Sequence, residues 1–164
     1  MTVLGLAGAA AAIGAGGTVV LDLWAKLLQR ALNIPGPNWA MVGRWIGNMP
    51  RGQFQHASMA QAAPVRGELV IGWTAHYVIG ISYGAIVVAL GGSSWLNRPT
   101  PLLALAVAWV MLAAPFFVMM PGMGSGVAGS KTPHPHRTRL KSFVSHTIFG
   151  IGMFATALLM AVLR

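Results

Sequence analysis

The chain has 164 residues, 55% of them hydrophobic and only 8% charged, with a mean hydropathy of +0.67. A soluble domain carries about a quarter charged residues, so this composition is that of a membrane protein of one domain rather than a soluble enzyme. The net charge of +9 points to lipid orientation and anionic head groups, not nucleic acid, and the absence of cysteine excludes disulfides, thiolate metal ligands and cysteine nucleophiles.

The N-terminal run MTVLGLAGAAAAIGAGG has no basic residue ahead of it and exceeds the apolar core of a secretory signal, so it reads as a retained first span. About 20 apolar helical residues cross a hydrocarbon core roughly 30 Å thick. On that measure the sequence predicts four transmembrane helices, at residues 3–28, 68–90, 101–120 and 143–163. The expectation is an all-α integral membrane protein: one domain over residues 1–164, four helices in one bundle, and two long loops at residues 33–66 and 121–142. A short turn at residues 91–99 joins the second span to the third.

Basic residues set the orientation. Lys26, Arg30, Arg44, Arg51 and Arg66 belong to the first loop and its approach, and Lys131, Arg137, Arg139 and Lys141 to the third connection; only Arg98 and Arg164 lie on the other side. Nine against two places both long loops in the cytoplasm and both termini outside.

Span one carries Gly5, Gly8, Ala12 and Gly16 at three-to-four spacing, which lets helices approach closely in lipid. Asp22, Lys26 and Arg30 follow on one face. An acid four residues before a base forms a favourable local pair, yet a carboxylate inside a span is also a functional candidate. The first loop mixes Trp39, Trp45 and Phe54 with Arg44, Arg51 and His56, a composition suited to the membrane interface or to a lid over a site.

In span two, Glu68, Gly72, His76 and Gly80 are four apart and form one stripe, which must face protein rather than lipid. In span three, Pro115 frees a carbonyl and kinks the helix. The Gly-rich stretch after it lacks the phosphate-loop pattern GxxxxGK[ST], so no nucleotide site is read there. Pro133 and Pro135 are expected to hold the basic segment KTPHPHRTRLKS extended. His134 and His136 within it are weak evidence for metal. Span four places His146 about one turn inside the same surface as His76.

Asp22, His56, Glu68, His76 and His146 therefore converge on one polar vestibule at the cytoplasmic side. The expectation is a site there for a small anionic, lipid-like or metal-coordinated ligand, with or without a chemical step. Three readings of it compete. His56, His76, His146 and Glu68 form a donor set suited to zinc or iron. A haem held by His76 and His146 is disfavoured by a depth offset of roughly 6 Å at 1.5 Å per residue. In the second reading Arg44, Arg51, Lys131, Arg137 and Arg139 hold an anionic head group, and His76, His146, Glu68 and Asp22 are the candidates for acid–base work. In the third the chain is an accessory or assembly subunit, or self-associates, and its polar groups merely satisfy one another.

The segments Asp22-Leu23-Trp24, GRWIGNMPRGQFQH, GELVIGWTAHY, PFFVMMPGMGSGVA, SKTPHPHRTRLKS and SHTIFGIG resemble, in that order, a bacterial multi-pass inner-membrane family known as a domain of unknown function. The likeness extends over nearly the whole chain. It implies a four-helix protein of the bacterial inner membrane, of one domain, and brings no activity with it; the charge rule would make both termini periplasmic. Gly43, Arg44, Trp45, Pro50, Arg51, Gly52, His56, Glu68, His76, Tyr77 and His146 fall where that pattern has like residues.

Overall fold

The computed structural model describes residues 2–163, so the orienting role expected of Arg164 lies outside the described residues. Those residues form helices and no strand. We number the helices α1 (Val3–Leu32), α2 (Trp39–Asn48), α3 (Glu68–Asn97), α4 (Pro101–Gly122) and α5 (Pro135–Val162). All but α2 are long and apolar enough to cross a membrane. A helix of membrane-crossing length is thus present at each stretch expected from hydropathy, and all four are longer than their apolar runs.

The helix ends follow from local chemistry. The Thr2 hydroxyl accepts from Gly5 N at 3.2 Å to start α1, which stops where Asn33 turns into the left-handed region (φ 54°). Residues 33–66 are not a bare loop: Asn38 caps α2 by accepting from Met41 N at 3.2 Å. Nor does the expected turn at 91–99 replace the end of α3; helix continues to Asn97 across a single break at Gly92 (φ 60°). Pro135 does not hold its segment extended but opens α5, where the N–H it lacks has no intrahelical acceptor anyway. His136, Arg137, Arg139 and Lys141 are therefore helical.

The chain divides into two compact units, and α3, α4 and α5 contribute residues to both. Unit 1 (Met1–Gly36, Tyr77–Met111 and Val144–Arg164) holds the apolar core, which includes Ala9, Ala10, Ile13, Val87, Leu96, Ala104 and Met153. Its close helix contacts use Gly14, Gly17, Gly80 and Gly84. A Cβ at Gly14 would strike the backbone of Gly80 and Ile81, and one at Gly84 the backbone of Ala10 and Gly14. Of the expected stripe Gly5, Gly8, Ala12 and Gly16, Gly16 is closely packed, against Thr156, whereas Gly8 meets nothing within 4 Å.

The proline in α4 acts as its chemistry requires. Pro115 has no N–H to give to the carbonyl four residues earlier, that of Met111. The Tyr83 hydroxyl donates to Met111 O instead, at 3.4 Å, and its ring lies edge-on to Phe149 (centroids 5.7 Å, 78°). Residues Pro115–Met119 wind as a π-helical turn.

Two stability predictions follow from unit 1. Gly14→Val overpacks a backbone contact and lowers stability in detergent by about 1–3 kcal/mol, while Gly8→Val is neutral within a few tenths. Tyr83→Phe strands the Met111 carbonyl at a cost of about 1 kcal/mol. Thermal melting of the three variants against the parent checks both.

Candidate functional site

Unit 2 (Pro37–His76 and Leu112–Phe143) is built on a contact between α2 and the first turns of α3. It exists because two glycines face each other across it. A Cβ on Gly43 would run into the carbonyl of Glu68, and one on Gly72 into the carbonyl of Trp39. With hydrogen at both positions the two backbones touch.

That approach carries Arg44 to Glu68. The pair is two-pronged: Nε donates to Oε2 and Nη2 to Oε1, each at 2.8 Å, with the side chains 16% and 19% exposed. The remaining guanidinium nitrogen, Nη1, donates to the carbonyls of Met59 (3.1 Å) and Ala62 (3.2 Å). Glu68 Oε2 also accepts from Val65 N at 3.0 Å, which ties the last turn of the preceding segment to the start of α3. The hydrogen bonds to Glu68 raise the Arg44 pKa above its ordinary value, so the guanidinium is charged at every working pH.

Asn48 extends the cluster. It is 2% exposed, donates through Nδ2 to Arg44 O at 2.9 Å and accepts from Arg51 Nη1 at 3.3 Å. Trp45 Nε1 donates to Phe54 O at 2.9 Å, and the Trp45 ring lies against Gly122. One turn beyond Gly72, His76 is 9% exposed and stacked on Trp39 (centroids 3.9 Å, 26°), with Trp73 edge-on at 5.7 Å. The stripe Glu68, Gly72, His76 thus faces protein, as its spacing predicts.

The expected site residues are distributed as follows. Among the five expected to hold an anion, Arg44, Arg51 and Arg139 are hydrogen-bonded within the protein, the last by donating Nε to Ala128 O at 3.0 Å. Arg137 and Lys131 are exposed, and Lys131 lines a cavity with His56. Among the described residues no group of three His, Asp or Glu is placed to hold a metal ion. Of the expected donor set, His56, Glu68 and His76 belong to unit 2 and His146 to unit 1, and both Glu68 oxygens already accept protein hydrogen bonds. Asp22, in unit 1, accepts from the Tyr77 hydroxyl at 3.1 Å. Sequence reasoning missed Asn48, although its place four residues after Arg44 and three before Arg51 was a usable signal. It also missed the Arg44–Glu68 pairing, for which one sequence holds no signal.

What this geometry defines is a helical protein with four membrane-length apolar helices and a polar unit organised by an arginine–carboxylate clamp. The chain belongs to the family described as protein of unknown function (DUF2938), whose model matches residues 11–160. This agrees with the family of unknown function that its motifs suggest. No curated protein and no solved structure matches it.

If the clamp holds unit 2 together, Arg44→Met and Glu68→Gln each leave one member without its counter-charge and lower the melting temperature by several degrees. The double variant is then less destabilised than the sum of the two, because neither charge remains. Melting curves of the four proteins close this cycle; simple additivity would show the pair to be uncoupled.

Proposed function

We propose that this is a four-span integral protein of the bacterial inner membrane whose unit 2 faces the cytoplasm and binds a small anionic ligand. Unit 2 contains seven of the chain's eleven Lys and Arg and one carboxylate, a net charge of +6 before its histidines. That single carboxylate is held by Arg44. This charge imbalance is the observation that carries the reading: the counter-charge for the other cations must come from outside the unit.

Two further features support the membrane placement. The most apolar windows of α1, α3, α4 and α5 are at most 33% buried, and Leu23, Leu27, Val78, Leu90, Leu102 and Val110 are more than half exposed. In water such a surface would drive aggregation, whereas in hydrocarbon it is at home. The basic excess also falls in the two long connections, as cytoplasmic loops require. The anion would be held by charge-assisted hydrogen bonds, which are shorter and stronger than neutral ones.

The absence of native cysteine makes the topology directly testable with single Cys variants at Gln53, His134 and Arg98, all exposed. Positions 53 and 134 should react with an impermeant maleimide only in inverted vesicles, and position 98 only in intact spheroplasts. Labelling of 53 and 134 from opposite sides overturns the topology. Equilibrium dialysis of the detergent-purified chain against radiolabelled phosphate, at fixed ionic strength, should show saturable binding. Its absence overturns the ligand.

A further inference from the structure

Unit 2 contains a cavity of about 330 Å³ that the clamp does not use. Its polar side chains are Gln55, His56, Ser130 and Lys131, and Gly124 and Gly126 form part of its wall. We propose that this cavity is a binding site for a phosphate group, belonging to a lipid head group or to a small soluble phosphoester. The proposal rests on the anionic-ligand reading above and names its site and chemistry.

Four observations converge there. First, the cavity volume is at the lower end of small-molecule pockets, which suits a head group or a small metabolite rather than an extended ligand. Second, His56 Nε2 is buried with no hydrogen-bond partner in the protein. A buried imidazole nitrogen without a partner is destabilising; Nε2 is closed to water, so an oxyanion in the cavity would meet it, when it carries the proton, once the His56 ring turns toward the space the residue lines. Third, Lys131 brings a positive charge to a unit whose one carboxylate is already engaged. Gln55 and Ser130 add an amide and a hydroxyl, so four donor-bearing side chains surround one space. A tetrahedral phosphate, with several acceptor oxygens in different directions, matches that set better than the two coplanar oxygens of a carboxylate.

Fourth, the wall is fixed rather than loose. His56 N donates to Gly122 O at 2.9 Å, Lys131 N to Ser125 O at 2.9 Å and Ser130 N to Val127 O at 3.0 Å. Gly124 and Gly126 have φ of 86° and 73°, a region that favours glycine. A Cβ at Gly126 would meet Ser130 Oγ and Lys131 Cγ, and one at Gly124 the carbonyl of Ala57. The segment GMGSG, unassigned by motif in the sequence, thus keeps the space between His56 and Lys131 open.

The test uses the full chain with 15N-labelled histidine in phosphatidylcholine nanodiscs, titrated with inorganic phosphate and then glycerol 3-phosphate at constant ionic strength. The His56 side-chain signal, assigned by its loss in His56→Gln, should shift saturably. Lys131→Met should weaken binding by about tenfold or more, the size expected for losing a hydrogen bond to a charged group. Lys131→Arg should retain most of the affinity, and Arg66→Met, outside the lining, should change little. Circular dichroism melting shows that each variant is folded. A second preparation in phosphatidylglycerol nanodiscs, without soluble phosphate, separates the two sources of the group. A His56 shift there alone identifies a lipid head group, a shift with the soluble compounds identifies a metabolite, and either supports the site. Phosphate binding that His56→Gln and Lys131→Met leave unchanged overturns the site while the anionic-ligand reading stands. No saturable binding in any arm overturns both.

Discussion

The structure of unit 2 depends on one constraint: the backbones of α2 and α3 must touch before Arg44 can reach Glu68. Gly43 and Gly72 permit that contact, and no side chain other than hydrogen fits at either place. Once the helices meet, the guanidinium closes on the carboxylate with both prongs and its third nitrogen gathers the carbonyls of Met59 and Ala62. A long polar connection is thereby ordered without a strand or a large apolar core. The stacking of Trp39 on His76 one turn further along α3 follows from the same approach.

The clamp changes what chemistry the residues can perform. Arg44 alone is a natural anion ligand and Glu68 alone a natural metal ligand or base. Joined at 2.8 Å they use up each other's charge and most of their hydrogen-bonding capacity. Asn48 similarly occupies Arg51, and the Ala128 carbonyl occupies Arg139. Cations that composition presents as equivalent thus separate into those that build the unit and those, such as Lys131, exposed at its cavity.

The sequence made the four long apolar helices legible because hydropathy and length are local properties of each stretch. The Glu68–Gly72–His76 stripe was equally plain, since helical spacing alone puts these residues on one face. Pairing was not legible. Arg44 and Glu68 are 24 residues apart, and nothing local says that they meet rather than bind separate ligands. Proline was misleading at position 135, because X-Pro disfavours helix only for the residue before it, and Pro135 itself is a good first helical residue. Small-residue spacing also predicted a close helix face in α1 but not its extent: Gly16 of the expected stripe is packed and Gly8 is not, while Gly14 and Gly17 owe their contacts to partners on α3 and α5 that one helix cannot reveal.

Polar groups stranded in apolar helices show the same economy. The chain has two tyrosines, both on α3, and the hydroxyl of each is committed to an oxygen within the protein. Tyr77 donates to the carboxylate of Asp22, and Tyr83 to the Met111 carbonyl that Pro115 cannot serve. An unmet carboxylate or carbonyl in an apolar setting costs several kcal/mol, so these hydroxyls have a sufficient structural reason to be where they are. The same reasoning applied to His56 gives the opposite result. Its Nε2 is buried like the others but has no protein partner, and it borders a cavity that also carries Lys131. The indole nitrogen of Trp24 is buried without a protein partner as well, but His56 belongs to the lining of a cavity that also carries a cation, and there the unmet nitrogen is left for something that enters.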